Sequence, residues 1–147
     1  MVGAAAAFGG SSFIADTSAW QRSRDQAVAA AWEEAVEDSR IATCPIVVLE
    51  LLYSARDGDM FRRLELALSP FRDVPVTRSV TNAAISGLRE LAQVRPLHYR
   101  LPFSDAIIAA AAQDAGFGVL HYDDHFDRLA EVMSFEIRWI APLGSLD

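Results

Sequence analysis

The chain has 147 residues, 52% hydrophobic and 22% charged, which suits one domain with a real core and argues against a disordered chain. Its formal net charge of −7 argues against bulk attraction to nucleic acid or an anionic membrane, though not against a nucleic-acid substrate met at an acidic metal site. All 13 basic residues are arginine, and the single cysteine, Cys44, excludes an intrachain disulfide and a multi-cysteine zinc cluster.

Residues 1–12 are rich in Ala and Gly and lack the basic start and long apolar run of a secretory leader; a flexible extension is expected there. Residues 13–147 are expected to form a single domain, in a reducing cytoplasm, since no stretch approaches the roughly 20 apolar residues of a membrane span. Residues 13–16 read as a short buried strand, with Thr17 or Ser18 capping the next helix. Residues 27–38 are helical in pattern, and 40–44 form a second strand. Pro45 opens a helix over 46–56, and the pattern resumes over 60–68 after the break at Asp57, Gly58 and Asp59. Residues 73–77 contain Pro75 and read as an edge strand. Helices over 79–94 and 102–115 follow, the second stopped by Gly116. A strand over 117–122, a short helix over 123–132 and a strand over 135–141 complete the chain. Alternation of this kind implies a three-layer α/β/α fold with a short, mainly parallel sheet, in which ligands gather outside the carboxyl ends of the strands.

Four acids interrupt apolar surroundings. Asp16 ends the run Phe13, Ile14, Ala15; it could cap the turn into the next helix, but Thr17 and Ser18 are also at hand for that, so a functional role is preferred. Glu50 has Ile46, Val47, Tyr53 and Ser54 as its helical neighbours, placing it at the rim of the core or in a site, with an ion pair to Arg56 as the plain alternative. Asp105 precedes the alanine run of its helix, where an acid also suits the helix dipole. Asp123 ends a strand and is preferred over Asp124, the second choice, and over Asp127; those two read as first-turn or solvated charges. Carboxylates gathered together repel unless a cation neutralises them, and oxygen ligands of this type suit Mg²⁺. Asp16 and Asp123 share one crevice if their strands are neighbours.

Other chemistries fit poorly. Among the histidines, His98 reads as a loop residue, His121 as a strand residue and His125 as incidental, or at most a substrate contact near Asp123. Neither a nucleophile elbow nor a Walker loop is present. Receiver-type aspartate chemistry lacks its second Asp and its Lys. Trp20, Trp32, Phe61, Leu64 and Leu68 read as core or subunit-interface material.

Residues 14–20, 49–56, 101–110 and 119–126 together resemble a PIN domain, and most of all the VapC-type toxins of bacterial toxin–antitoxin pairs, especially mycobacterial ones. The resemblance runs from Phe13 to about Leu143. It implies a short parallel sheet with helices on both faces and an acidic quartet of Asp16, Glu50, Asp105 and Asp123. Asp16, Asp105 and Asp123, with Asp124 as a further candidate, would hold Mg²⁺ or Mn²⁺, and Thr17 or Ser18 would support Asp16. The implied activity is a metal-dependent endoribonuclease neutralised by a cognate VapB-type antitoxin, in a homodimer. One departure stands out: His125 occupies a position where many relatives carry a further acid. Two other readings remain open: a PIN scaffold that binds antitoxin or RNA without cutting, and a structure-specific DNA nuclease. Metal chelation separates a binder from a nuclease.

Overall fold

The structure, a computed structural model, describes residues 5–146. Residues 1–4 of the expected extension, and residue 147, lie outside the described residues. Five strands form one sheet: β1 (Phe13–Ala15), β2 (Ile41–Thr43), β3 (Arg72–Asp73), β4 (Gly118–His121) and β5 (Ile137–Trp139). Their order is β3-β2-β1-β4-β5 and every pairing is parallel. The helices are α1 (Thr17–Arg22), α2 (Ala29–Glu37), α3 (Pro45–Tyr53), α4 (Gly58–Leu68), α5 (Arg78–Val94), α6 (Phe103–Ala115) and α7 (His125–Leu129). The expected α/β architecture of a parallel sheet flanked by helices is the one found.

Side-chain alternation along the strands divides the core in two. Ile14, Ala42 and Val119 face a cluster built with α5, α6 and α7, where Ala106, Ala109, Leu91 and Leu129 are buried. Phe13, Ala15, Ile41 and Leu120 face the other side, against Ala19 of α1 and Trp32 and Ala35 of α2. A helix apolar on nearly all sides must be buried, and α6 is: its buried residues are Ala106, Ile108, Ala109 to Ala112 and one carboxylate, Asp105. Gly116 closes α6 in the left-handed conformation at φ 71°, as its expected stop role requires. Gly118, two residues on, lets β4 approach β1: a Cβ there would lie 2.8 Å from Phe13 Cδ1 and 2.8 Å from the Glu136 carbonyl oxygen.

Several boundaries shift for local reasons. The third strand is Arg72–Asp73 rather than 73–77, because Pro75 has no N–H for a ladder and the Thr77 hydroxyl accepts the Val80 N–H at 3.2 Å to begin α5. The segment 123–132 becomes helical only at His125, because the Asp123 carboxylate accepts the His125 N–H at 3.0 Å and holds a turn. Where a flexible extension was expected, the described residues before β1 are held to the body. The Arg40 guanidinium donates to the carbonyls of Ala7 at 2.8 Å and Ser11 at 3.1 Å, and Phe8 joins the α1–α2 side of the core. Of the aromatic and leucine residues read as core or interface, Trp32 and Leu68 are buried, whereas Phe61 is exposed.

Candidate active site

The strand order places β1 between β2 and β4, so successive connections leave β1 in opposite directions and a crevice opens at its carboxyl end. Ala15 pairs with Leu120, which brings the residues just after β1 beside those just after β4. Asp16 and Asp123 therefore flank one crevice, as their positions in sequence suggested.

Asp16 is the cap of α1, and neither Thr17 nor Ser18 takes that role. Its Oδ2 accepts the Ser18 backbone N–H at 3.0 Å and the Ser18 hydroxyl at 2.6 Å. The same hydroxyl accepts the Tyr122 N–H at 2.9 Å, tying the end of β4 to the first acid. Asp16 is buried; burial pushes its carboxyl above the ordinary range, the Ser18 bonds oppose this, and the charge of Asp123 adds to it. Thr17 is half-buried, its hydroxyl without a hydrogen-bond partner among the described residues.

Asp105 projects from the first turn of α6 and is 6% exposed. Burial, then repulsion from Asp16 and more weakly from Asp123, raises its carboxyl to about 7, against the opposing influence of His125. Asp123 lies half-buried beyond β4. The His125 Nδ1 sits between these two acids, 2.9 Å from Asp105 Oδ2 and 3.0 Å from Asp123 Oδ1. Ligand atoms of Asp105, Asp123 and His125 all fall within 4.8 Å of one another. Asp16 is outside that trio but close enough for its charge to act on Asp105.

Glu50 stands at the rim on α3. The residue is exposed, yet partial desolvation of its carboxyl and the charge of Asp16 raise it, partly offset by the Thr17 hydroxyl. It forms no ion pair with Arg56 among the described residues. Asp124 is exposed and outside the trio, and the Asp127 carboxylate accepts the Trp139 indole N–H at 3.2 Å. His121 is fully buried on β4, and burial lowers its imidazole to about 4, so the ring stays neutral. Its Nδ1 accepts the Asp123 N–H at 3.2 Å and fixes the backbone of that acid.

The donor set fits a divalent cation. Three carboxylates meet in a crevice where two are raised by burial and mutual repulsion, and a positive ion among them removes both penalties. Sequence reasoning singled out His125 as a departure from the family pattern and at most a substrate contact, and did not place its ring between Asp105 and Asp123. Its signal was the Asp-x-His spacing, because an Asp turn folds the residue two places on back over the carboxylate.

The PIN domain family matches residues 13–132, a span that contains every acid of this crevice. The chain belongs to the PIN domain family. It is 38% identical over 135 residues to ribonuclease VapC18 of Mycobacterium tuberculosis, covering 91% of this chain and 98% of the relative. It is 37% identical over 135 residues to ribonuclease VapC51 of the same organism, covering 92% and 97%. The crystal structure of VapBC-5, a member of the VapBC family of toxin–antitoxin systems from Mycobacterium tuberculosis, shares the fold at a TM-score of 0.62 and 24% identity, over 86% of this chain and 97% of that one. A PIN domain thus accounts for the parallel sheet flanked by helices.

Proposed function

We propose that this PIN domain is a metal-dependent endoribonuclease, the toxin of a toxin–antitoxin pair, that hydrolyses RNA phosphodiester bonds and is neutralised by a VapB-type partner. The observation that carries the reading is Asp105, a buried carboxyl raised to about 7 and facing Asp16 and Asp123 across the end of the sheet. A cation joining the three carboxylates would relieve their mutual repulsion and let Asp105 ionise. The relatives named ribonuclease VapC support RNA as the substrate.

Asp16, Asp105 and Asp123 would hold Mg²⁺ or Mn²⁺. When bound, that ion supplies positive charge for the scissile phosphate and a lowered pKa for water at neutral pH. The residues of the chain divide the remaining work. Ser18 fixes the Asp16 carboxylate and joins it to β4, so two acids keep their spacing as RNA enters. The buried position of Asp105 excludes water from the floor of the crevice. Glu50, at the rim with a raised carboxyl, orients the attacking water and accepts its proton. In-line attack leaves a 5′-phosphate and a 3′-hydroxyl.

A band of exposed apolar side chains on α3 and α4 supports the antitoxin partner: Leu49 is 64% exposed, Tyr53 91% and Leu66 66%. Tyr53 lies three residues from Glu50 on α3 and so shares its side of the helix; a peptide laid on Tyr53 would reach the rim of the crevice, and an arginine from it would neutralise the acids. Exposed Ile85, Leu97 and Phe103 on the α5–α6 side offer apolar area for a second copy of the chain.

The test is cleavage of total RNA followed by 5′-end sequencing, with Mg²⁺ or Mn²⁺, with chelator, and with Asp105→Asn. Discrete cuts that need the ion and vanish in the variant are expected. A folded, partner-free preparation that cuts nothing with either ion would overturn the reading.

A further inference from the structure

We propose that His125 is itself a metal ligand, which makes this a mixed oxygen–nitrogen site that favours Mn²⁺ over Mg²⁺. The inference rests on the metal-dependent reading above and assigns to that site a nitrogen donor beside its carboxylates.

The geometry supports it in three ways. The ring Nδ1 is directed at the meeting point of two acids carried by separate elements, at 2.9 Å from Asp105 and 3.0 Å from Asp123. Two ligands of one small divalent ion lie about 4 Å apart or less, so these three donor atoms need little rearrangement to share an ion. The backbone that carries the ring is held in place: the His125 backbone N–H donates to Asp123 Oδ1 at 3.0 Å, which fixes the start of α7 over the crevice. Asp16 is the more committed acid, because its Oδ2 already accepts two bonds from Ser18. That leaves Asp105, Asp123 and the imidazole as the donors closest to one another.

The chemistry of the donor determines the preference. Mg²⁺ takes oxygen ligands, retains water and gains little from imidazole, whereas transition ions accept nitrogen readily. Replacing one oxygen donor by a neutral nitrogen also leaves the site one negative charge poorer. The lost charge weakens both ions, and the nitrogen donor compensates Mn²⁺ more than Mg²⁺. The other two histidines do not compete for this role. His121 uses Nδ1 to accept the Asp123 N–H and is enclosed by Phe126 and Trp139, and His98 is exposed in the α5–α6 loop.

The experiment is pulsed electron paramagnetic resonance on the full chain, freed of antitoxin, stripped with chelator and loaded with Mn²⁺. Spin-echo modulation from a directly bound ¹⁴N is expected in the native chain and lost in His125→Asp. In parallel, Mg²⁺ is titrated against bound Mn²⁺. The Mn²⁺/Mg²⁺ affinity ratio is expected to fall at least about tenfold in His125→Asp, the scale on which even outer-shell partners of a metal act. Bound Mn²⁺ without nitrogen modulation in the native chain overturns the inference while leaving the metal-dependent reading standing, and this holds whether or not the variant folds. Modulation that persists in a folded His125→Asp also overturns it. If the native chain binds neither ion, the metal-dependent reading fails and this inference fails with it.

Discussion

The Ser18 hydroxyl donates to Asp16 Oδ2 at 2.6 Å while accepting the Tyr122 N–H at 2.9 Å, so one oxygen joins the ends of β1 and β4. Ser18→Ala removes both bonds and leaves a part-buried carboxylate and amide short of partners. A loss of about 1–3 kcal/mol is expected in urea unfolding, with ribonuclease activity reduced, whereas Ser18→Thr retains most of both. Unchanged stability in Ser18→Ala would mean that water replaces the hydroxyl at no cost.

Asp105 makes the metal-free protein sensitive to pH. Its folded-state pKa of about 7 lies above the ordinary 3.8, so between those values the folded chain holds a proton that the unfolded chain has released. This contribution to stability is complete below pH 3.8 and is lost as pH rises toward 7. Asp105→Asn keeps a neutral side chain at every pH. It should therefore raise the melting temperature of the metal-free protein above pH 7 while abolishing cleavage. Thermal unfolding at pH 5 and pH 8 checks the sign: the variant gains on the native chain at the higher value only.

Cation binding should release protons near pH 6, because the ion requires Asp105 ionised. Calorimetric titration of Mn²⁺ in buffers of different ionisation enthalpy measures that release. It should shrink at pH 8 and disappear in Asp105→Asn.

Cys44 is fully buried at the start of α3, and burial pushes its thiol up to about 11. Iodoacetamide at pH 8 should leave the native chain unmodified and alkylate it fully in urea. Rapid native alkylation would show that α3 opens from the sheet.

Gly118→Ala should destabilise the fold by about 1–3 kcal/mol, since the new methyl meets the Phe13 ring and the Glu136 carbonyl. Chemical denaturation measures it.

Much of the fold was legible because strand and helix periods are distinct. The short strands around Ile14, Ala42 and Val119 stood out as apolar runs between helical patterns, and Gly116 marked a helix end correctly. The shortened β3 and the late start of α7 were less visible, since each depends on one side chain, Thr77 or Asp123, choosing a backbone partner. The four acids were legible as charges in apolar company. The part played by His125 was not, because two acids far apart in sequence define the point at which its ring is aimed. For Asp16 a site role and a capping role were weighed as alternatives, yet it caps α1 and faces the crevice at once, each role using the same carboxylate.

Hydrogen-bonded contact between Ser18 and Tyr122 spans 104 positions of the chain. β1, made early, lies at the middle of the sheet and waits for β4 to close its second edge. A growing polypeptide that has not reached β4 carries Asp16 and Glu50 but has no wall against which to complete the crevice. Contacts of such long range form slowly, and here they also bring like charges together at the final stage. Synthesis itself thus delays assembly of the acidic crevice, which can close only once nearly the whole chain has been made.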